Sequence, residues 1–305
     1  MCAGLLIGSS DSRTAVPERP EVYSRTVSPD VPDEVTFCGE VLPMQRFDMH
    51  ERLDRELTSF PYLHSTTMLL IKRANRYFPI IEPILKANGI PDDFKYLAVI
   101  ESNLDPKAVS PAKAVGLWQF MPATGKQYGL TITPTVDERR HVEKATEAAC
   151  KYLKSAYAKY GDWATVAASY NAGMGRISGE MEKQQAGDAL DLWLVEETSR
   201  YVFRILAIKQ IFENPYKYGF QLKTKNLYKP IRSSAVKVTA DIPDLAAFAK
   251  EKGISYAVLK QFNPWLVDRK LQTLGKTYTL QIPDTADLYY TKPNRFVHDR
   301  RWVID

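Results

Sequence analysis

Between residue 46 and about residue 220 the apolar side chains recur at helical spacing, and no stretch of weight alternates as a strand would. That periodicity predicts an all-α domain over residues 46–220. Residues 46–57 mix charges with Phe47, Leu53 and Leu57, and residues 66–77 and 79–87 read as two further amphipathic segments. Asn88-Gly89 stops the second of these. Pro91-Asp92-Asp93 opens the next helix, with proline and acids in its first turn. That helix ends near Asn103, because Pro106 disfavours helix at Asp105. A loop rich in Pro, Ser and Gly leads to Gly116 and a short helix over 117–128. Residues 142–160 place Ala145, Ala148, Ala149, Tyr152, Leu153 and Ala156 on one face, and Gly161 stops them. Asp162 is an N-cap for a helix over 163–172, and a long helix covers 190–212.

The pattern changes after Asn214-Pro215. Residues 234–239 alternate like a strand, 244–252 and 256–262 read as helices, and 278–282 as a second strand stopped by Pro283. Ser255 is the N-cap of the second helix. This β-α-α-β order makes a small domain over 234–284, joined by a basic linker at 221–233 and followed by an unplaced basic, aromatic tail at 285–305. Two domains suit a chain of 305 residues.

Composition excludes several functions. The three cysteines, Cys2, Cys38 and Cys150, form no C-x-x-C pair, and the four histidines no metal-binding pair, so neither a metal nor a cofactor is expected. The net charge of +5 is mild, and no nucleic-acid recognition motif accompanies it, so nucleic acid is not an expected partner. The excess is local. Residues 199–232 hold eight bases, Arg200, Arg204, Lys209, Lys217, Lys223, Lys225, Lys229 and Arg232, against Glu213 alone. The stretch reads either as a solvated linker face or as a contact for a carboxylate-bearing polymer. A monomer is expected.

Met1 to Ser10 is a short apolar run ending in small residues, like the tail of a secretory signal without its basic start. Cys2 is then a candidate lipid-attachment cysteine, anchoring the chain to an outer membrane. Residues 11–45, with five prolines and little periodicity, read as an extended linker. No stretch of about 18 apolar residues marks a transmembrane helix.

Glu101 is the most unusual residue. Phe94, Leu97, Ala98 and Glu101 fall at i, i+3, i+4 and i+7, so a carboxylate closes an apolar stripe. Desolvation there raises its pKa and equips it as a general acid. The competing reading is a buried Glu paired with an Arg or capping a neighbouring helix. Glycoside cleavage usually needs two carboxylates. Asp105 has an uncertain direction, and Asp137, Glu138, Glu180 and Glu182 read as solvated faces. A lone acid favours a reaction in which the substrate supplies the second group.

Three segments in order, Glu101-Ser102, Gly116-Leu117-Trp118-Gln119-Phe120-Met121-Pro122 and Tyr170-Asn171-Ala172-Gly173, resemble the motifs of lysozyme-like lytic transglycosylases, glycoside hydrolase family 23. Tyr201-Val202 resembles the family's fourth motif. Gly-Leu-Trp-Gln and Asp137-Glu138-Arg139-Arg140 are similar to its D-type members. The resemblance spans roughly residues 60–215. It implies a mainly α chain with a lysozyme-like catalytic domain, and roles residue by residue. Glu101 would be the single catalytic acid and base. Ser102 would hydrogen-bond the sugar near the cleaved bond. Gln119 and Asn171 would hold substrate amide or hydroxyl groups, with Met121 beside them. Tyr170 and Tyr201 would line the groove and orient Glu101, and Gly116 would permit close backbone approach. The partner would be peptidoglycan glycan strands in the cell envelope, cleaved between N-acetylmuramic acid and N-acetylglucosamine to leave 1,6-anhydro ends.

Residues 248–264 and 275–283 resemble a LysM module, a binder of N-acetylglucosamine polymers. Its opening turn departs from the usual Gly-Asp-Thr-Leu, being Ala240-Asp241-Ile242-Pro243-Asp244. Two rival functions stand beside the transglycosylase: a goose-type-lysozyme-like hydrolase in which water attacks, and a non-catalytic wall-binding scaffold with a structural Glu101.

Overall fold

The computed structural model describes residues 27–291 and 293–305. Met1 to Ser10, Cys2 included, lie outside the described residues. The first elements form a hairpin, β1 (Val35–Phe37) against β2 (Glu40–Leu42), with Val35 opposite Leu42. Its two-residue turn puts Cys38 at φ 54° and Gly39 at φ 88°, the positive pair a tight hairpin needs. The Cys38 N–H is held by the Asp93 carboxylate at 2.7 Å. Val35, Phe37, Leu42 and Met44 are buried in the main core, so the end of the expected linker is a packed element. Strands of three residues are too short to show a period.

Eight helices follow before residue 214: α1 (Phe47–Tyr62), α2 (His64–Ala87), α3 (Lys95–Ser102), α4 (Pro122–Gln127), α5 (Val142–Tyr160), α6 (Trp163–Ala172), α7 (Met174–Gln184) and α8 (Glu196–Glu213). The two segments expected at 66–77 and 79–87 are the single helix α2. Pro79 and Pro83 lie inside it, and Leu70, Ile71, Ala74, Phe78, Ile81 and Leu85 bury one stripe across both. That burial outweighs the backbone hydrogen bonds the prolines remove. The helix expected at 117–128 shrinks to α4, because residues 116–120 form a turn. The helix expected at 190–212 begins only at Glu196. Helix α7 was not anticipated.

α8 is the central rod. It packs against α1, α3 and α6, while α5 packs on α2 and α6. Its Lys209 is buried, pairing with Asp93 at 2.7 Å and donating to the Thr36 carbonyl at 2.9 Å, which fastens the hairpin to the helix. Arg200 likewise grips the buried Glu56 through two bonds of 2.6 and 3.1 Å. The basic stretch at 199–232 is therefore partly neutralised from within the fold. Arg232, its last member, pairs with Asp287 at 2.7 Å.

The small domain has β3 (Ser233–Val238) antiparallel to β4 (Tyr278–Pro283), with α9 (Leu245–Glu251) and α10 (Tyr256–Phe262) between them. Ser255 caps α10 as expected, accepting the Val258 N–H at 3.2 Å. Leu245, Ala249, Leu259, Trp265, Leu266, Leu271 and Leu280 form a second core. The tail beyond it returns to the helical domain. Trp302 is buried against Phe78 and Phe212 and donates its indole N–H to the Phe212 carbonyl at 3.0 Å. Cys38 and Cys150 are free thiols. No helix among the described residues is long and apolar enough to cross a membrane.

Candidate active site

Phe94, just before α3, and Leu97 and Ala98 within it face the core with no exposure, and Glu101 continues that face. The helix stops at once, with Asn103 and Leu104 both at φ 54°. Glu101 is half-buried where α3 meets α8, and the hydroxyl of the buried Tyr201 donates to its Oε1. Burial raises the Glu101 pKa to about 7. The Tyr201 hydrogen bond and the Arg204 charge oppose the rise, and the charge of Glu197 adds to it. Burial and the Glu101 charge raise the phenol pKa values of Tyr170 and Tyr201, so both remain donors at neutral pH.

The turn at 116–120 joins the site through Tyr170. Its amides are closed by Gly116 N–H to the Ala108 carbonyl at 3.0 Å, Val115 N–H to Phe120 at 3.1 Å and Gln119 N–H to Gly116 at 3.2 Å. Gly116 sits at φ +86°, and a Cβ there would lie 1.8 Å from the Arg139 carbonyl oxygen, so only glycine fits. Trp118 is fully buried, its indole donating to Thr146 Oγ1 at 2.9 Å. Its carbonyl accepts the Tyr170 hydroxyl at 2.7 Å, which ties the turn to α6. Gln119 takes φ 47° and donates its amide to the Gly116 carbonyl at 2.8 Å. Met121 is 42% exposed at the head of α4.

Asn171, at the end of α6, accepts from Thr198 Oγ1 at 2.9 Å and points its amide at Glu197. Ser102 is buried, and its hydroxyl donates to the Ala98 carbonyl at 3.1 Å. Glu101, Tyr170, Asn171 and Tyr201 thus converge around the α3–α8 contact, the Gly116–Met121 turn faces them through Tyr170, and Ser102 turns back into its own helix.

Sequence reasoning missed three contributors. Glu197 and Arg204 bias the ionisation of Glu101 from α8, at i−4 and i+3 from Tyr201, so the helical period around Tyr201 marks them. Arg139 is the third. It binds the Asp137 carboxylate at 2.9 and 2.7 Å and donates to the Phe120 carbonyl at 3.0 Å. Asp137 and Glu138, expected on a solvated face, are both buried. Glu138 accepts the Thr131 N–H at 2.7 Å and pairs with Lys144. Their partners lie in the surrounding turns, where charge counting does not see them.

The family model for the Transglycosylase SLT domain matches residues 78–192, and that for the soluble lytic transglycosylase C-terminal LysM-like domain matches residues 234–286. Membrane-bound lytic murein transglycosylase D of Escherichia coli strain K12 is 32% identical over 270 residues, 86% of this chain and 58% of that protein. The chain therefore spans little more than half the length of that curated relative. Peptidoglycan transglycosylase gp16 of Escherichia phage T7 is 32% identical over 136 residues, 43% of this chain and 10% of that protein. Among solved structures, the 70 kDa soluble lytic transglycosylase of Escherichia coli aligns at TM-score 0.40 and 25% identity, over 47% of this chain and 24% of that one.

Proposed function

Residues 78–192 belong to the SLT transglycosylase domain family and residues 234–286 to its LysM-like companion, and on that premise we propose that the chain cleaves peptidoglycan strands without water. The observation that carries this reading is Glu101, a carboxyl whose pKa burial has raised to about 7 and which one phenol holds in place. An acid with that pKa is half protonated at neutral pH and serves equally well as donor and, once ionised, as acceptor.

The steps follow from that one group. Glu101 gives its proton to the glycosidic oxygen as the bond from the muramyl C1 to that oxygen breaks. Positive charge develops at C1, and the sugar's own N-acetyl oxygen stabilises it, with the Asn171 amide positioned to hold that group. The Glu101 carboxylate, steadied by Tyr201, then removes the proton of the muramyl 6-hydroxyl, whose oxygen closes on C1. The product carries a 1,6-anhydro ring, and Glu101 ends protonated as it began. Gln119, Met121 and the 116–120 turn border the strand on the other side, and Ser102 supports the end of α3 beneath it. The setting that goes with this substrate is the cell envelope.

Mass spectrometry of digested peptidoglycan tests the reading. Fragments lighter by one water than reducing muropeptides are expected. Reducing ends throughout would instead assign the attack to water, and no fragments at all would leave the chain a wall binder.

A further inference from the structure

The small domain meets the helical domain along residues 131–141. The Thr135 carbonyl accepts the Val267 N–H at 3.1 Å, and the Asp137 N–H donates to the Trp265 carbonyl at 2.8 Å. Between them Val136 and Leu266 pair as an antiparallel bridge. Thr135 Oγ1 accepts the Gln272 N–H at 3.2 Å, and Lys276 reaches Thr131 Oγ1 at 3.0 Å. Val136 has no exposure, and its cluster is that of Leu245, Leu259 and Leu280, so a valine of the helical domain completes the core of the small one. The Trp265 ring stacks on His141 at 5.8 Å and on Tyr278 at 5.5 Å.

From this seam a chain of contacts runs into the candidate active site. Asp137, whose N–H Trp265 holds, grips Arg139 with both carboxylate oxygens. The Arg139 guanidinium donates to the Phe120 carbonyl at 3.0 Å and the Lys113 carbonyl at 3.2 Å, at the two ends of the loop that contains the turn. The Arg139 carbonyl is the atom packed on Gly116. The turn in turn passes its Trp118 carbonyl to Tyr170. The Asp137–Arg139–Phe120 links are buried, the Trp265–Asp137 link is backbone-to-backbone, and the Lys113 and Tyr170 links are partly buried; packed elements transmit a displacement through such contacts.

We propose that the small domain sets the position of the 116–120 turn, with Trp265 and Thr135 as positioning residues that act through Asp137 and Arg139. The proposal rests on the functional reading above, in which that turn borders the substrate. The LysM-like module is on this account a wall of the catalytic domain, whatever it binds. Loosening the seam releases the 131–141 segment, and the guanidinium and carbonyl that pin the turn move with it.

Full-length Trp265→Ala, Trp265→Phe and Thr135→Val chains test this by amide hydrogen exchange. The reporters are the N–H groups of Val115, Gly116 and Gln119, which close the turn. Exchange there is expected to quicken about ten-fold or more in Trp265→Ala and Thr135→Val, with the amides of α3 unchanged, and Trp265→Phe is expected to restore protection. On peptidoglycan, KM should rise about ten-fold with kcat within about two-fold, because the turn holds substrate and Glu101 keeps its setting. A purely structural role would lower the active fraction and leave KM alone. If Trp265→Ala does not fold, Thr135→Val decides, since it changes only a hydroxyl to a methyl. Unaltered exchange at these amides in the folded variants overturns the proposal. A wild-type chain that protects the turn through the seam yet cleaves nothing overturns the functional reading and leaves the relay standing.

Discussion

Tyr201 and Glu101 lie 100 residues apart in sequence and share one hydrogen bond, from phenol to carboxyl, where α8 crosses the end of α3. The bond favours the ionised carboxylate while the surrounding apolar packing favours the acid. Packing wins, and the carboxyl settles near neutrality. This balance makes the site's behaviour predictable from single substitutions.

Glu101→Gln removes the buried carboxyl that gives the proton in the proposed reaction. Cleavage should fall by about 10³-fold or more, in line with the contribution of a positioned general acid. The variant should also be the more stable protein above pH 7. Wild-type Glu101 takes up its proton more readily when folded than when unfolded, so its contribution to stability is present below about pH 4.5 and is lost as pH rises through about 7. The difference is about 3 kcal/mol. Denaturant melts at pH 4 and pH 8 check it: a wild-type/variant gap that does not change with pH would contradict the assigned ionisation.

Tyr201→Phe deletes the donor that favours the charged form. The Glu101 pKa should therefore climb above about 7, moving the alkaline limb of the pH–rate profile upward while the maximal rate drops about ten-fold from lost orientation. A limb that stays put or moves down would show that the phenol does not act on the carboxyl.

Glu197→Gln removes a like charge and should act the other way. The Glu101 pKa falls, and the alkaline limb shifts to lower pH, with fold and stability nearly unchanged because Glu197 is exposed. Rates measured from pH 5 to 9 separate this from a role for Glu197 as a base for water, which would abolish turnover rather than shift it.

Gly116→Ala forces a methyl into the Arg139 carbonyl oxygen at a backbone angle that disfavours side chains. About 3 kcal/mol of destabilisation is expected, together with loss of activity, as the turn or the 139 segment yields. Thermal melts and turnover of the purified variant give both numbers. Wild-type values would mean that the contact relaxes freely.

The helical domain was legible because its core faces repeat. The spans predicted for α5 and α6 match those observed, since α5 carries one apolar stripe stopped at Gly161 and α6 opens at the Asp162 cap that the sequence marks. Glu101 stood out for the same reason, as an acid in phase with Phe94, Leu97 and Ala98. What escaped depends on contacts between distant residues. The hairpin at 35–42 is held by Lys209 and Asp93, and the break assigned at Pro79 ignores the neighbours that α2 buries on both sides of it. The basic run at 199–232 looked like a free surface because Glu56 and Asp93, which neutralise part of it, lie over a hundred residues upstream. The seam rests on Val136, the Trp265 ring, two side-chain hydrogen bonds and a few backbone bonds, and none of these leaves a pattern in composition.

The return of Trp302 to Phe78 and Phe212 changes what kind of object the small domain is. The segments before and after it are both fastened to the helical domain. They meet where the Asp284 N–H donates to the Arg232 carbonyl at 2.8 Å. In topological terms residues 233–283 are an insertion with closed ends, an excursion from one domain's surface that comes back to its starting point. Cutting the chain at residue 233 would strip the helical domain of the tail that seals its core. Excising the insertion and bridging Arg232 to Asp284 would preserve that seal, and it is the surgery this architecture invites.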